Sequence, residues 1–201
     1  MKSRKKKQMM KDVTFAFFDV ETTGLEHYNG DKICEVAILK SRNGKDVSSF
    51  HTLIDPGRPI SEGAYAVNRI TPQMLRGKPR FSEVAKDILK RLEGTVIVCH
   101  NAFFDMGFLK AELNVLNLPL PSCPIVDTLS LARRYFDFWS NNLGSIARSL
   151  GIEIDYEQEH RAMGDVRTTQ RIFQRFVQDL EKKGIDALNE ILSDGKVNRV
   201  F

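Results

Sequence analysis

Asp19 and Glu21 stand two positions apart at the end of an almost unbroken apolar run, Val13–Val20. A strand alternates faces with a period of two, so both carboxylates point to the same side. Two acids side by side at the end of a buried strand repel each other and are costly unless a cation joins them. A pair of this kind is also a common way for a strand to end at a surface, and alone it decides nothing. Behind it, Thr22-Thr23-Gly24-Leu25 is small and turn-prone, which would let backbone N–H groups approach a ligand closely.

Two further segments carry chemistry. In Cys99-His100-Asn101-Ala102-Phe103-Phe104-Asp105 a short apolar strand ends, the chain turns, and Asp105 falls in the first turn of a helix. Its neighbours Phe103, Phe104, Met106, Phe108 and Leu109 are apolar, so the acid needs a reason. The helix N-terminus is one account; a metal ligand is the sharper one. In His160-Arg161-Ala162-Met163-Gly164-Asp165, Gly164 is expected to let the chain turn and Asp165 to open a long helix. Here the bland account is a helix-terminal acid and an exposed loop histidine, set among Glu153, Asp155, Glu157 and Glu159.

The elements that must position these residues follow from hydrophobic patterning. Val13–Val20 suits a central strand buried on both faces. Ile33–Lys40 and Val47–Ile54 are strand-like, and Asn43-Gly44 between them signals a hairpin. Asp55-Pro56-Gly57 and Pro59 mark a loop. Phe81, Val84, Ala85, Ile88 and Leu92 then recur at helical spacing until Gly94 stops the run. Thr95–Cys99 leads into a helix over Ala102–Leu113, and Pro124-Ile125-Val126 leads into a helix capped by Asp127. Leu143, Ile146, Ala147 and Leu150 mark another helix, closed by Gly151. The last helix places Val166, Ile172, Phe173, Phe176, Val177 and Leu180 on one face. Three strands followed by alternating helices and strands predict one mixed α/β domain.

Composition bounds the rest. With 201 residues, 42% of them hydrophobic and 28% charged, the chain is ordinary for a globular protein that needs no disulfide support. Cys34, Cys99 and Cys123 are odd in number and contain no CxxC pair, against a disulfide framework or a structural zinc site. No apolar run approaches the roughly 18 residues of a membrane span, and the basic start has no apolar stretch behind it. The cytoplasm is the expected location, with no membrane partner. The net charge of +4 belongs to the first eleven residues, which carry six Lys or Arg and no acid. Without those six, 24 basic residues face 26 acidic ones, so the body sits near −2. Residues 1–11 are expected to form a basic, disordered tail and 12–201 a single domain.

Together the three segments resemble the DnaQ-like exonuclease family, the group with Asp-Glu-Asp-Asp and a catalytic histidine, known from the epsilon proofreading subunit of bacterial DNA polymerase III. The family's DxETTGL is matched by Asp19 through Leu25, its HNAxFDxxFL by His100 through Leu109, and its HRAxGDxxxT by His160 through Thr169. Asp127-Thr128-Leu129, Asn142-Leu143 and Leu150-Gly151 fit as well. The resemblance spans roughly residues 13 to 180. It implies a ribonuclease H-like fold: a mixed central sheet opening with three antiparallel strands, helices on both faces. It also implies 3′→5′ hydrolysis of phosphodiester bonds at nucleic-acid 3′ ends, releasing 5′-mononucleotides. Asp19, Glu21, Asp105 and Asp165 would hold two divalent cations, Mg²⁺ or Mn²⁺, the metals that hard oxygen ligands favour. His160 would be the general base, its ordinary pKa of about 6.5 lying near working pH. His100 is a rival, but its place at the end of a buried strand suits structural hydrogen bonding better. Thr22, Thr23, Gly24 and Leu25 would meet the terminal nucleotide, with backbone near the 3′-OH and Leu25 against the base; Asn101 is a further substrate-site candidate.

Single-stranded or frayed DNA is the expected substrate, ahead of RNA, with a replicative polymerase as a candidate partner. The alternatives are an exoribonuclease or oligonucleotide-clearing enzyme and, from another class, a non-catalytic polymerase accessory. An inactive module would be expected to lack at least one of the five catalytic residues, and all five are filled. Gln170–Phe176 faintly resembles a sliding-clamp peptide, but it lies on a helix expected to pack in the core. Asn68-Arg69-Ile70-Thr71 stands where many relatives have His-Gly-Ile-Thr, and Met163 and Val166 replace the frequent Leu and Ala.

Overall fold

The computed structural model describes residues 10–155 and 160–191. Its centre is a five-stranded sheet of order β3-β2-β1-β4-β5, with β1 at Thr14–Thr22, β2 at Ile33–Arg42, β3 at Lys45–Leu53, β4 at Val96–Cys99 and β5 at Ile125–Asp127. The first three strands are antiparallel, and β4 and β5 run parallel to β1. Asn43 and Gly44, with φ of 52° and 72°, make the expected tight turn between β2 and β3.

The helices among the described residues include α1 Glu62–Asn68, α2 Pro72–Leu75, α3 Phe81–Leu92, α4 Ala102–Val115, α5 Thr128–Tyr135, α6 Leu143–Ser149 and α7 Ala162–Lys182. The alternation of β1 sorts them to two faces. Phe15 and Phe17 enter a core with residues of α5, α6 and α7, and both rings meet Phe173 of α7, at 5.0 and 5.6 Å between centroids. Ala16, Phe18 and Val20 enter the opposite core, against Phe81, Ala85, Ile88 and Leu92 of α3 and the apolar side of α4. Each fully buried large side chain of this kind contributes about 1.5–3 kcal/mol of transfer free energy. The resulting three-layer arrangement is the ribonuclease H-like architecture that the motifs implied.

Three expectations shift. The loop at Asp55–Pro59 is as expected, but two unexpected helices, α1 and α2, follow it before Phe81. Their signals are local: Ser61 accepts from Ala64 N, Thr71 from Met74 N, and Pro72 sits at the first helical position. Seven and four residues are too few to show an apolar period. The last helix begins at Ala162, so Gly164 lies inside it and Asp165 sits in its first turn. The turn is made by His160 instead, whose φ is 57°. At the other end Met10–Asp12 forms a 3₁₀ turn, with Met10 against the α7-side core. Lys11 therefore belongs to the folded body, and the rest of the basic stretch, residues 1–9, lies outside the described residues. The Gln170–Phe176 segment is core as expected: Ile172 and Phe176 are fully buried and Phe173 nearly so.

Candidate active site

Because β1 and β4 are parallel, their C-terminal ends share one edge of the sheet, and the acids gather there. Asp19 and Glu21 continue the parity of Phe15 and Phe17, so they face α7. Asp165 comes to meet them from the first turn of α7. One carboxylate oxygen from each of Asp19, Glu21 and Asp165 lies within 4.8 Å of the others. Asp105 arrives from α4, on the opposite face, close enough to Asp19 for its charge to be among those that raise the Asp19 pKa. Its Oδ1 accepts the Val20 N–H at 3.1 Å, across the end of the strand between the two pairs of layers.

The electrostatics show how poorly this arrangement is balanced by the protein itself. Burial, reinforced by Asp165, Glu35 and Asp105, pushes Glu21 up to about 9. Burial also lifts Asp19 well above the carboxylate range, with Asp105, Asp165 and Glu21 adding to it. Asp105 rises too, through burial, although the hydrogen bond from Val20 opposes the rise. All four acids line one cleft of about 420 Å³, together with Thr22, Gly24, Leu25, Ala64, Val67, Asn68, His100, Asn101, Phe104 and His160. No Lys or Arg is among the described residues lining it. A crowd of hard oxygen ligands with no protein cation to neutralise them fits a divalent metal ion.

The two histidines separate cleanly. His100 has both ring nitrogens engaged: Nε2 donates to the Asn141 carbonyl at 3.0 Å, and Nδ1 lies 2.9 Å from the Thr128 hydroxyl oxygen, whose own proton goes to the Cys99 carbonyl at 3.1 Å. Burial lowers its pKa, with the hydrogen bond to the Asn141 carbonyl opposing. His160 is exposed, lines the cleft and sits on the left-handed turn before α7.

The predicted nucleotide-contacting segment divides. Thr23 is fully buried, and its hydroxyl joins Asp31 and Lys32 N; Thr22 is buried as well, with its hydroxyl donating to Gly24 O. Both side chains thus help to build the loop, and Thr22 also lines the cleft. A Cβ on Gly24 would lie 2.2–2.6 Å from the Asp31 carboxylate, which explains the glycine. Leu25 is 78% exposed at the cleft rim. Asn101 is exposed at φ 74°, and its N–H donates to Asp127, the residue that also caps α5. Asn68 reaches back from α1, its Nδ2 donating to Thr22 O at 3.2 Å. Arg69 sits at φ 55°, a conformation that favours the glycine many relatives carry there.

Glu35 was not among the predicted site residues. The β1–β2 register sets it directly opposite Glu21, on the same face, beside a register shift at Glu21/Thr22. It is completely buried, yet it is not a fifth member of the acid cluster. Arg161 donates to it through Nε at 3.0 Å and Nη2 at 2.6 Å, Ala162 N at 3.3 Å, and His51 Nε2 lies 2.5 Å away. Burial alone would raise the Glu35 pKa, but the hydrogen bonds from His51 and Arg161 outweigh it and hold the carboxyl below its ordinary value. Glu35 thus anchors the residues between His160 and Asp165 to β2. Glu35→Ala is expected to cost about 3–5 kcal/mol, because it strands the Arg161 side of a buried pair. A denaturant midpoint within experimental error of the parent would contradict the anchor. Only the Arg161 motif position hinted at it, since a charge inside a run that builds a site invites a search for its partner.

The fold is ribonuclease H-like, and the acid cluster at the end of β1 suits hydrolysis assisted by a divalent metal ion. Residues 16–173 match the RNase T family, described as exonuclease, and the chain belongs to that family. It is 39% identical over 181 residues to the PolC-type DNA polymerase III of Thermotoga petrophila, covering 90% of this chain and 13% of that protein. To a DNA polymerase III epsilon-subunit-like protein of Rhodobacter capsulatus it is 35% identical over 185 residues, covering 90% of this chain and 26% of that one. The chain thus spans an eighth to a quarter of these relatives. Among solved structures, Exonuclease I of E. coli in complex with a dT13 oligonucleotide shares the fold with a TM-score of 0.73 at 20% identity, over 85% of this chain and 42% of that one.

Proposed function

We propose that this domain hydrolyses the 3′-terminal phosphodiester bond of single-stranded or frayed DNA and releases 5′-mononucleotides, using Asp19, Glu21, Asp105, Asp165 and His160. The observation that carries the reading is the convergence of Asp19, Glu21 and Asp165 within 4.8 Å, from two separate elements, beside an exposed histidine. Two Mg²⁺ or Mn²⁺ ions, held by the four carboxylates, would supply water activation and stabilise the departing oxyanion. His160 takes the proton of the attacking water on its imidazole, a task that suits an accessible ring. His100 cannot do this with both nitrogens engaged. Leu25, Ala64, Val67 and Phe104 offer apolar surface to the terminal base, which gives little sequence preference. The absence of Lys and Arg from this lobe agrees, since a metal ion rather than a basic patch would draw the phosphate in.

The match to PolC-type polymerases and the dT13 complex support DNA as substrate and a replicative polymerase as partner. No helix among the described residues is long and apolar enough to cross a membrane, and we place the protein in the cytoplasm. The test is digestion of length-matched single-stranded DNA, RNA and a mispaired duplex end, with product lengths followed in time. Loss of single nucleotides from the 3′ end of DNA is expected, faster from the single strand and the mispair than from RNA. Preferential shortening of the RNA would overturn the substrate assignment, and internal cuts would overturn the reaction.

A further inference from the structure

A second lobe opens beyond the acid cluster. It is lined by Asn142, Leu143, Gly144, Arg148, Ile154 and Thr168, and it shares His160 and Asp165 with the first lobe. From its geometry we infer that this lobe is the subsite for the next nucleotide of the substrate strand, with Arg148 binding the phosphodiester one step 5′ of the bond that is cut. The inference rests on the reading of the site as an exonuclease centre.

Connectivity gives the reason. If the terminal base lies against Leu25 and the scissile phosphate at Asp165 and His160, the rest of the strand must leave on the other side of those two residues. The second lobe is the cavity that borders them there. Its chemistry suits a phosphate: Arg148 is the one Lys or Arg among the described residues lining either lobe. The other polar side chains are already engaged. Asn142 Oδ1 accepts Ser145 N at 2.8 Å as the cap of α6, and the Thr168 hydroxyl donates to Gly164 O at 3.0 Å. Arg148 is exposed and makes a long contact, 3.4 Å, to Ser145 Oγ. Its helix is firmly seated, because Ile146 and Ala147 are fully buried in the core shared with α7. A cation is thereby held at a defined place beside an otherwise acidic cleft. In such a setting a guanidinium binds a phosphodiester by charge-assisted hydrogen bonds.

The experiment compares two substrates. The p-nitrophenyl ester of thymidine 5′-monophosphate contains a single phosphate and no upstream nucleotide, whereas dT10 fills both lobes. For Arg148→Gln, the ratio of kcat/KM on dT10 to that on the ester is expected to fall about tenfold. The loss should sit in KM for dT10, and the plot of log kcat/KM against log salt should flatten by about one. Arg148→Lys should retain most of the salt slope, which a folding defect in the glutamine variant could not explain. An unchanged ratio and slope, or an equal loss on both substrates, would overturn the subsite. If the parent protein cleaves neither substrate, the exonuclease reading fails instead.

Discussion

His160→Asn, which removes the proposed general base, is expected to lower kcat on a 5′-labelled oligonucleotide by about 10²–10⁴, and Asp165→Asn, which removes a proposed metal ligand, to lower it by at least as much. Asparagine tolerates the left-handed backbone that His160 adopts at φ 57°, so the loop should keep its path. The imidazole is exposed, and its removal takes nothing from either core. For Asp165 the sign of the stability change is itself informative. Its charge is among the causes that lift both Asp19 and Glu21. Removing it relieves repulsion in the metal-free protein, so Tm in chelator should stay level or rise while activity collapses. Normal digestion by either variant would sink the assignment of that residue. A Tm drop of many degrees in both would mean that the loss of turnover reflects folding.

Chelation is expected to abolish turnover, and Mn²⁺ or Mg²⁺ to restore it, with a pH dependence that follows from Glu21. Its folded-state pKa, about 9, lies above the ordinary carboxylate value of 4.5. Between those values the folded metal-free protein binds more protons than the unfolded chain, so its stability falls as pH rises. A divalent ion replaces those protons and removes the cause of the loss. The Tm gain on adding Mn²⁺ should therefore be larger at pH 8.5 than at pH 6. Thermal unfolding with and without the metal at both pH values checks this. Equal gains would contradict the proton linkage, and full activity in excess chelator would contradict metal dependence.

Much of the fold could be anticipated because each element carries its own local pattern. The period of two set Asp19 and Glu21 on one side of β1, without any knowledge of what lay there. The Asn43-Gly44 turn, the Gly94 stop and the Asp127 cap are chemical signals that act over two or three residues. The helices α1 and α2 escaped notice for the converse reason, being too short for a period and announced only by Ser61 and Thr71-Pro72. The start of α7 was displaced because Gly164 resembles a turn residue. The left-handed backbone falls at His160 instead, a residue that can adopt it without glycine.

Asp19 and Glu21 alone were an ambiguous strand-end pair, and Asp105 and Asp165 each had a plausible role at a helix N-terminus. The resemblance of the three motifs, in order within one chain, to the exonuclease family is what implied the reaction class and nominated the five residues. What the tertiary structure decided is which of these groups share a space and which are already occupied. It set three carboxylates within 4.8 Å and turned Asp105 partly to Val20 N. It also engaged both nitrogens of His100 and buried the Thr22 and Thr23 side chains in the loop they build. Glu35 marks the boundary between the two kinds of knowledge. In sequence it is one acid in a hydrophobic strand. Only the pairing register that sets it against Glu21, and the contact with Arg161 across 126 positions of chain, show that its charge holds the start of α7 to β2 rather than joining the cluster.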